Sequence, residues 1–268
     1  MSERAKVGEI EIAYNVKGEG EPLILIGGFG MVKEMWEPQM EALAKEFRVV
    51  SFDNRGIGES TVPDEEFTIA DMAADVVGLM DHIGIGKANV FGVSMGGLIT
   101  QMLALDHGER VRKAVLGCTS HGGRHAVAPD PEVMALLGSL ADPSIPAEEG
   151  IRKRLPVIFS DRYIREEARK IEEYVKRSLN YQPTLKGAQG QMKALSFFNV
   201  KRRLGEIRCP VLVIHGDEDS MMPPENARLL AEGIPGAELY IVKGAGHGFN
   251  EEKPDEVNRV LAAFFKKK

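Results

Sequence analysis

Short runs of almost continuous apolar residues punctuate the chain: Leu23 to Ile26, Arg48 to Phe52, Asn89 to Val93, Ala114 to Leu116, Val211 to Ile214 and Leu239 to Val242. A strand with apolar side chains at successive positions shows hydrocarbon on both faces, so its sheet must be covered on both sides. That pattern predicts a mostly parallel sheet in an α/β protein. Val7 to Val16 alternates instead, which predicts one half-buried strand, and Gly18-Glu19-Gly20-Glu21-Pro22 follows as a turn.

Helical periodicity fills the gaps. Ile69 to Ile83 carries Met72, Val76, Leu79 and Met80 at helical spacing after Thr68, a predicted N-cap with Asp71 three residues on. Glu225 to Glu232 starts after Pro223-Pro224 and stops at Gly233. Between about Ser120 and Arg203 the strand–helix alternation lapses, and the segment reads as a helical insertion interrupted by prolines. Within it Ile164, Ala168, Ile171, Val175 and Leu179 form one apolar stripe opposite Arg, Glu and Lys. The stripe is compatible with packing on its neighbours and with covering a substrate. No internal repeat or low-complexity segment is found.

Composition narrows the class. With 268 residues and 43% hydrophobic side chains, the chain can bury a large core without disulfide staples. A net charge of -6, with no basic block beyond Lys266, Lys267 and Lys268, argues against a nucleic-acid partner. The start of the chain lacks the apolar run of a secretory signal, and no apolar run is long enough to span a bilayer, so no membrane association is expected. Cys118 and Cys209 each adjoin an apolar run and read as buried free thiols, which points to a cytoplasmic location. Both a monomer and a homo-oligomer are compatible with the sequence.

The chemistry is concentrated in Gly92-Val93-Ser94-Met95-Gly96-Gly97, a G-x-S-x-G motif directly after one apolar run and directly before a helical pattern. A serine on so sharp a strand-to-helix turn needs glycines two residues before and after it to avoid clashes, and it sits at a helix N-terminus that favours negative charge. A serine hydroxyl needs a base, itself oriented by a third group. Of six histidines, His247 in Gly244-Ala245-Gly246-His247-Gly248-Phe249 follows the last apolar run and precedes the final helix. His82 and His107 fall on helices, His215 ends a strand as a candidate structural hydrogen-bonder, and His121 and His125 lie at the mouth of the insertion. The acid should fall between nucleophile and base in chain order. There Asp217, Glu218 and Asp219 compete, and spacing does not choose among them. An oxyanion hole requires two backbone N–H groups. Met95, after the serine, supplies one, and Gly27-Gly28-Phe29-Gly30 fits the other.

These motifs resemble the α/β-hydrolase family, in particular the single-domain carboxylesterases, enol-lactonases and non-haem haloperoxidase-like hydrolases, over nearly the whole chain outside the insertion. The resemblance implies an eight-stranded, mostly parallel sheet flanked by helices, with residues 1–120 and 205–268 as the core domain and 121–204 as a helical cap. By position it makes Asp219 the acid and Phe29 the second oxyanion donor. It also assigns Asp53-Asn54-Arg55-Gly56-Ile57-Gly58-Glu59-Ser60 a chiefly structural role. Where the family commonly carries His-Gly before the oxyanion residue, this chain has Gly27-Gly28, which removes the histidine that often braces the loop.

The expected function is a serine hydrolase cleaving carboxylic esters, with Ser94, Asp219 and His247 catalytic and no metal or organic cofactor. Trp36, His121 and Met222 are expected at an apolar substrate pocket, with Met95, Met221, Leu136, Leu137, Phe159, Phe197 and Phe198 as further apolar candidates. An enol-lactone hydrolase, a carbon–carbon bond hydrolase and a non-enzymatic ligand-binding protein share the scaffold.

Overall fold

The computed structural model describes residues 2–139 and 144–267. Residues 140–143 of the expected cap and Lys268 of the terminal lysines lie outside the described residues. The strands are β1 (Glu3–Val7), β2 (Ile10–Lys17), β3 (Glu21–Ile26), β4 (Phe47–Phe52), β5 (Ala88–Val93), β6 (Val111–Gly117), β7 (Val211–Gly216) and β8 (Glu238–Val242). They form one 8-stranded sheet in the order β1-β2-β4-β3-β5-β6-β7-β8. β2 pairs antiparallel with β1 and β4, and β3 to β8 run parallel.

The doubly apolar runs are strands buried on both faces. Ile24, Ile26, Val50, Val90 and Val213 pack in one core cluster, while Leu23, Leu25, Val49, Phe91 and Leu212 pack in the other. The first cluster is covered by α2 (Ile69–His82), α3 (Met95–Asp106) and α9 (Glu225–Gly233), the second by α1 (Glu37–Leu43), α10 (Phe249–Glu252) and α11 (Pro254–Lys266). The capping box at α2 forms as expected, with the Asp71 N–H donating to Thr68 Oγ1 and the Thr68 N–H to Asp71.

Two local expectations are corrected. Val7 to Val16 is not one strand: the chain reverses between β1 and β2, with Gly8 at φ +56°. Glycine reaches that conformation at no steric cost, so the apolar alternation continues across a hairpin. The apolar stripe from Ile164 to Leu179 is likewise two helices, α6 (Asp161–Glu166) and α7 (Ala168–Asn180), broken at Glu167 with φ -117° and ψ 40°.

The segment between β6 and β7 also contains α4 (Pro131–Ser139), α5 (Ala147–Ile158) and α8 (Leu185–Ser196). Its stems meet where Gly122 bridges Asn199 and the Val200 N–H donates to the His121 carbonyl at 3.0 Å. Ile171 and Val175 pack on Ile151, Leu155 and Phe159, a small core separate from the two flanking the sheet. α8 instead joins the main body: Gly187 lies so close to Gly56 that a Cβ on it would stand 1.8 Å from the Gly56 carbonyl oxygen. Among the described residues no helix is long and apolar enough to cross a membrane.

Candidate active site

The candidate groups all follow C-terminal ends of parallel strands, the edge where open α/β sheets bind ligands. Ser94 stands between β5 and α3 at φ 53° and ψ -119°, a strained conformation for a serine. The flanking glycines are steric requirements. A Cβ on Gly92 would lie 2.1 Å from the Gly96 carbonyl oxygen, and one on Gly96 would lie 2.0 Å from that of Ile26. The turn is tied by the Ser94 N–H donating to Gly117 O at 2.8 Å and by Ser94 O accepting from Gly97 N at 2.9 Å and Thr119 Oγ1 at 2.8 Å. The hydroxyl makes no hydrogen bond to a described residue and stays partly exposed.

Asp219 and His247 meet from the loops after β7 and β8. His247 Nδ1 lies 2.8 Å from Asp219 Oδ2, and the imidazole is 11% exposed. Asp219 Oδ1 accepts from the Met222 N–H at 2.7 Å, and His215 Nε2 lies 3.1 Å from Oδ2 and 2.7 Å from the Met222 carbonyl oxygen. Both the carbonyl and the carboxylate are acceptors, so His215 Nε2 carries a proton and braces the acid. Asp217 is spent on the Gly244 N–H at 2.6 Å and on Lys243, and Glu218 is exposed. Among these three carboxylates only Asp219 reaches His247, a choice that sequence spacing left open.

Burial would raise the Asp219 carboxyl, but the His247 charge and the hydrogen bonds from both histidines outweigh it and hold the group below the usual carboxylate value. Burial alone would lower His247; the Asp219 carboxylate overrides it and holds the imidazole well above its ordinary value. Cys118, the residue after β6, adopts φ 38°, and its Sγ, an Asp219 oxygen and a His247 nitrogen lie within 4.8 Å of one another. This is the one cluster of three ligand-type side chains found among the described residues, and within it His247 Nδ1 is already committed to Asp219. Sequence reading placed Cys118 in the core but missed this contact, since nothing in the chain announces a positive φ at a cysteine. Both cysteines are free; Cys209 is half-buried rather than buried, and burial pushes its thiol up to about 11.

The Met95 N–H heads α3, and the Phe29 N–H lies in the loop after β3. Neither is hydrogen-bonded to a described residue, so both are free to face a ligand. Gly28 lies against the serine, its virtual Cβ only 3.2 Å from Ser94 Cβ. Without a histidine at Gly27, the loop is held from elsewhere: Asn54 Nδ2 donates to Gly27 O at 3.0 Å, and the Gly30 N–H donates to Gln191 Oε1 at 3.0 Å. Asn54 belongs to a buried polar knot in which Asp53 accepts from the Lys33 N–H at 2.7 Å, Lys33 Nζ at 2.9 Å and the Glu59 N–H at 2.9 Å. On the base side, Glu252 accepts from the Gly246 N–H at 2.8 Å and from the N–H and hydroxyl of Ser160.

The expected pocket residues separate. Trp36 does not line the site: it has 0% exposure and stacks edge-on against Phe91 in the core, so it offers no surface to a ligand. Phe197 is also corrected, being 78% exposed, while Phe198 and Phe159 are buried in separate clusters. His121 is buried, with Nδ1 2.8 Å from Gly122 O and Nε2 unpartnered. Met222 is half-buried and braces Asp219 through its main chain rather than its thioether.

The family model described as "alpha/beta hydrolase fold" matches residues 21–254. The chain is 33% identical over 260 residues to a Caulobacter sp. (strain K31) protein named "Putative carbamate hydrolase RutD", covering 95% of this chain and 94% of that one. It is 30% identical over 243 residues to the poly(3-hydroxyalkanoate) depolymerase of Ectopseudomonas oleovorans, covering 91% and 83% respectively. The enol-lactonase of Burkholderia xenovorans LB400 superposes with a TM-score of 0.87 at 29% identity, covering 99% of this chain and 100% of that one. The chain therefore belongs to the α/β-hydrolase fold family, and it is a hydrolase of that fold.

Proposed function

We propose that the protein is a serine hydrolase that cleaves carboxylic esters through an acyl-enzyme on Ser94, with His247 as base and Asp219 as the orienting acid. The observation that carries this reading is the Asp219–His247 pair at 2.8 Å, on the same sheet edge as a strained serine whose hydroxyl is uncommitted. Asp219 accepts the Nδ1 proton, which leaves Nε2 as the basic nitrogen. As Ser94 Oγ attacks the acyl carbon, Nε2 takes its proton, and the Phe29 and Met95 amides stabilise the developing oxyanion. The leaving alcohol takes that proton, water repeats the sequence in reverse, and the carboxylic acid departs. The helices between β6 and β7 act as a cap over this edge.

A lactone is the second reading, favoured by the likeness to an enol-lactonase. The test is a panel of chromogenic esters of increasing acyl length, with an enol-lactone and a carbamate, on the wild type and Ser94→Ala. Turnover is expected to fall on the order of 10⁶-fold in the variant. Cleavage that survives in Ser94→Ala overturns the nucleophile. A folded wild type that turns over nothing and resists a fluorophosphonate probe overturns the enzymatic reading in favour of ligand binding.

A further inference from the structure

We propose that Gln191, carried by α8, is a positioning residue that fixes the loop presenting the Phe29 amide. The inference rests on the reading of Phe29 as an oxyanion donor. Gln191 is 1% exposed and bridges two strand-end loops: its Oε1 accepts from the Gly30 N–H, and its Nε2 donates to the Arg55 carbonyl, each at 3.0 Å. The amide orientation is fixed by chemistry, since a backbone N–H can only donate and a carbonyl can only accept.

Gly30, at φ +66°, directly follows Phe29. On the other side, Asn54 holds Gly27 O, and the Met31 N–H closes a turn on Gly28 O at 3.2 Å. The Phe29 N–H is therefore left free between anchored neighbours, in a loop that lies against Ser94. Removing Gln191 would free the Gly30 end and leave a part-buried N–H and a part-buried carbonyl unpaired.

The anchor is itself rigid. Gly187 meets the Gly56 carbonyl too closely for any other residue, and the Gly187 N–H donates to the Thr184 cap at 3.1 Å. Lys186 and Lys193 pair with Asp64 and Glu66 on either side. Arg55, whose carbonyl Gln191 holds, clamps Asp75 of α2 with two bonds of 2.6 Å. A helix inserted late in the chain thus supplies, to a loop lacking the histidine brace, a brace from outside.

In the enzyme, Gln191→Met keeps the side-chain length and packing and removes both bonds. It is expected to lower kcat for a chromogenic ester on the order of 10- to 100-fold with KM little changed. Inhibition by a trifluoromethyl ketone, whose serine adduct places an oxyanion against the two amides, should weaken in parallel. Gln191→Glu supplies an independent reading. As a neutral acid it makes both bonds; once ionised it loses the donor toward Arg55. Its kcat relative to wild type should approach one at low pH and fall as pH rises.

A folded Gln191→Met enzyme with kcat within about twofold of wild type overturns the proposal. So does a Gln191→Glu ratio that is flat with pH, or an equal loss in Lys193→Ala, which loosens α8 without touching the loop. Should Gln191→Met not fold, the Gln191→Glu profile decides alone. Each of these failures leaves the Ser94 reading standing, whereas ester cleavage surviving in Ser94→Ala removes that reading and this proposal with it.

Discussion

The Ser94 turn and the loops that face it are built in opposite ways. The turn is made by the residues beside it: Gly92, Gly96 and Gly97 clear the space, and the flanking β5 and α3 set the direction. The facing loops are held by residues far along the chain, the oxyanion loop by Asn54 and Gln191 and the base loop by Ile158, whose carbonyl accepts from the Gly248 N–H at 2.7 Å. Local steric need is written as a contiguous motif; support across space is not.

The contrast can be broken at several points. After Ser94→Ala, the largest effect is expected from Asp219→Asn, which keeps the shape but removes the charge that holds the His247 tautomer. Turnover should fall on the order of 10⁴-fold. The His247 pKa is raised mainly by Asp219 against burial, and the base must be neutral, so wild-type kcat/KM should rise with pH through a value above that of an ordinary histidine. Without the carboxylate that pKa drops, and the acidic limb should move to lower pH. A pH–rate profile whose limb stays in place would place the acid elsewhere.

Gly96→Ala tests the turn. Its Cβ meets the Ile26 backbone, which cannot give way, so stability should fall by about 3 kcal/mol or more in urea denaturation. An alanine tolerated at wild-type stability would show that the turn does not need the close approach of Gly96 to the end of β3.

Asn54→Ala addresses the loop, with an expected loss of roughly 10-fold in kcat as Gly27 O loses its donor. Combined with Gln191→Met in a double-mutant cycle, the losses should be less than additive, because both braces hold one loop. Full additivity would mean that they act on separate features. The smallest effect belongs to Trp36→Phe. A side chain buried against Phe91 has no contact with substrate, so KM should stay within about twofold while stability drops by about 1 kcal/mol. A larger KM change would return Trp36 to the pocket.

Much of the fold was legible because each doubly buried strand is a run of apolar residues, as in Leu23 to Ile26 and Val211 to Ile214. Legibility failed where one periodicity spans two elements. The hairpin at Gly8 preserves the alternation on both arms, and the break at Glu167 falls between apolar positions that continue a helical stripe. Gln191 did leave a trace: with Gly187 and Ala194 it lies on the buried stripe of α8, a polar side chain where an apolar one would pack. Its partners, 161 and 136 residues away, left none.

The sequence by itself determined the mostly parallel sheet and the place of Ser94 on a strand-to-helix turn, because these depend on side-chain periodicity and on backbone space within a few residues. Only the tertiary structure decided that Asp219 rather than Asp217 or Glu218 reaches His247, that Trp36 is core, and that Gln191 reaches the oxyanion loop. Those depend on where strand-end loops turn relative to one another. Loop direction is set by hydrogen bonds between distant segments, and such bonds carry no periodicity along the chain.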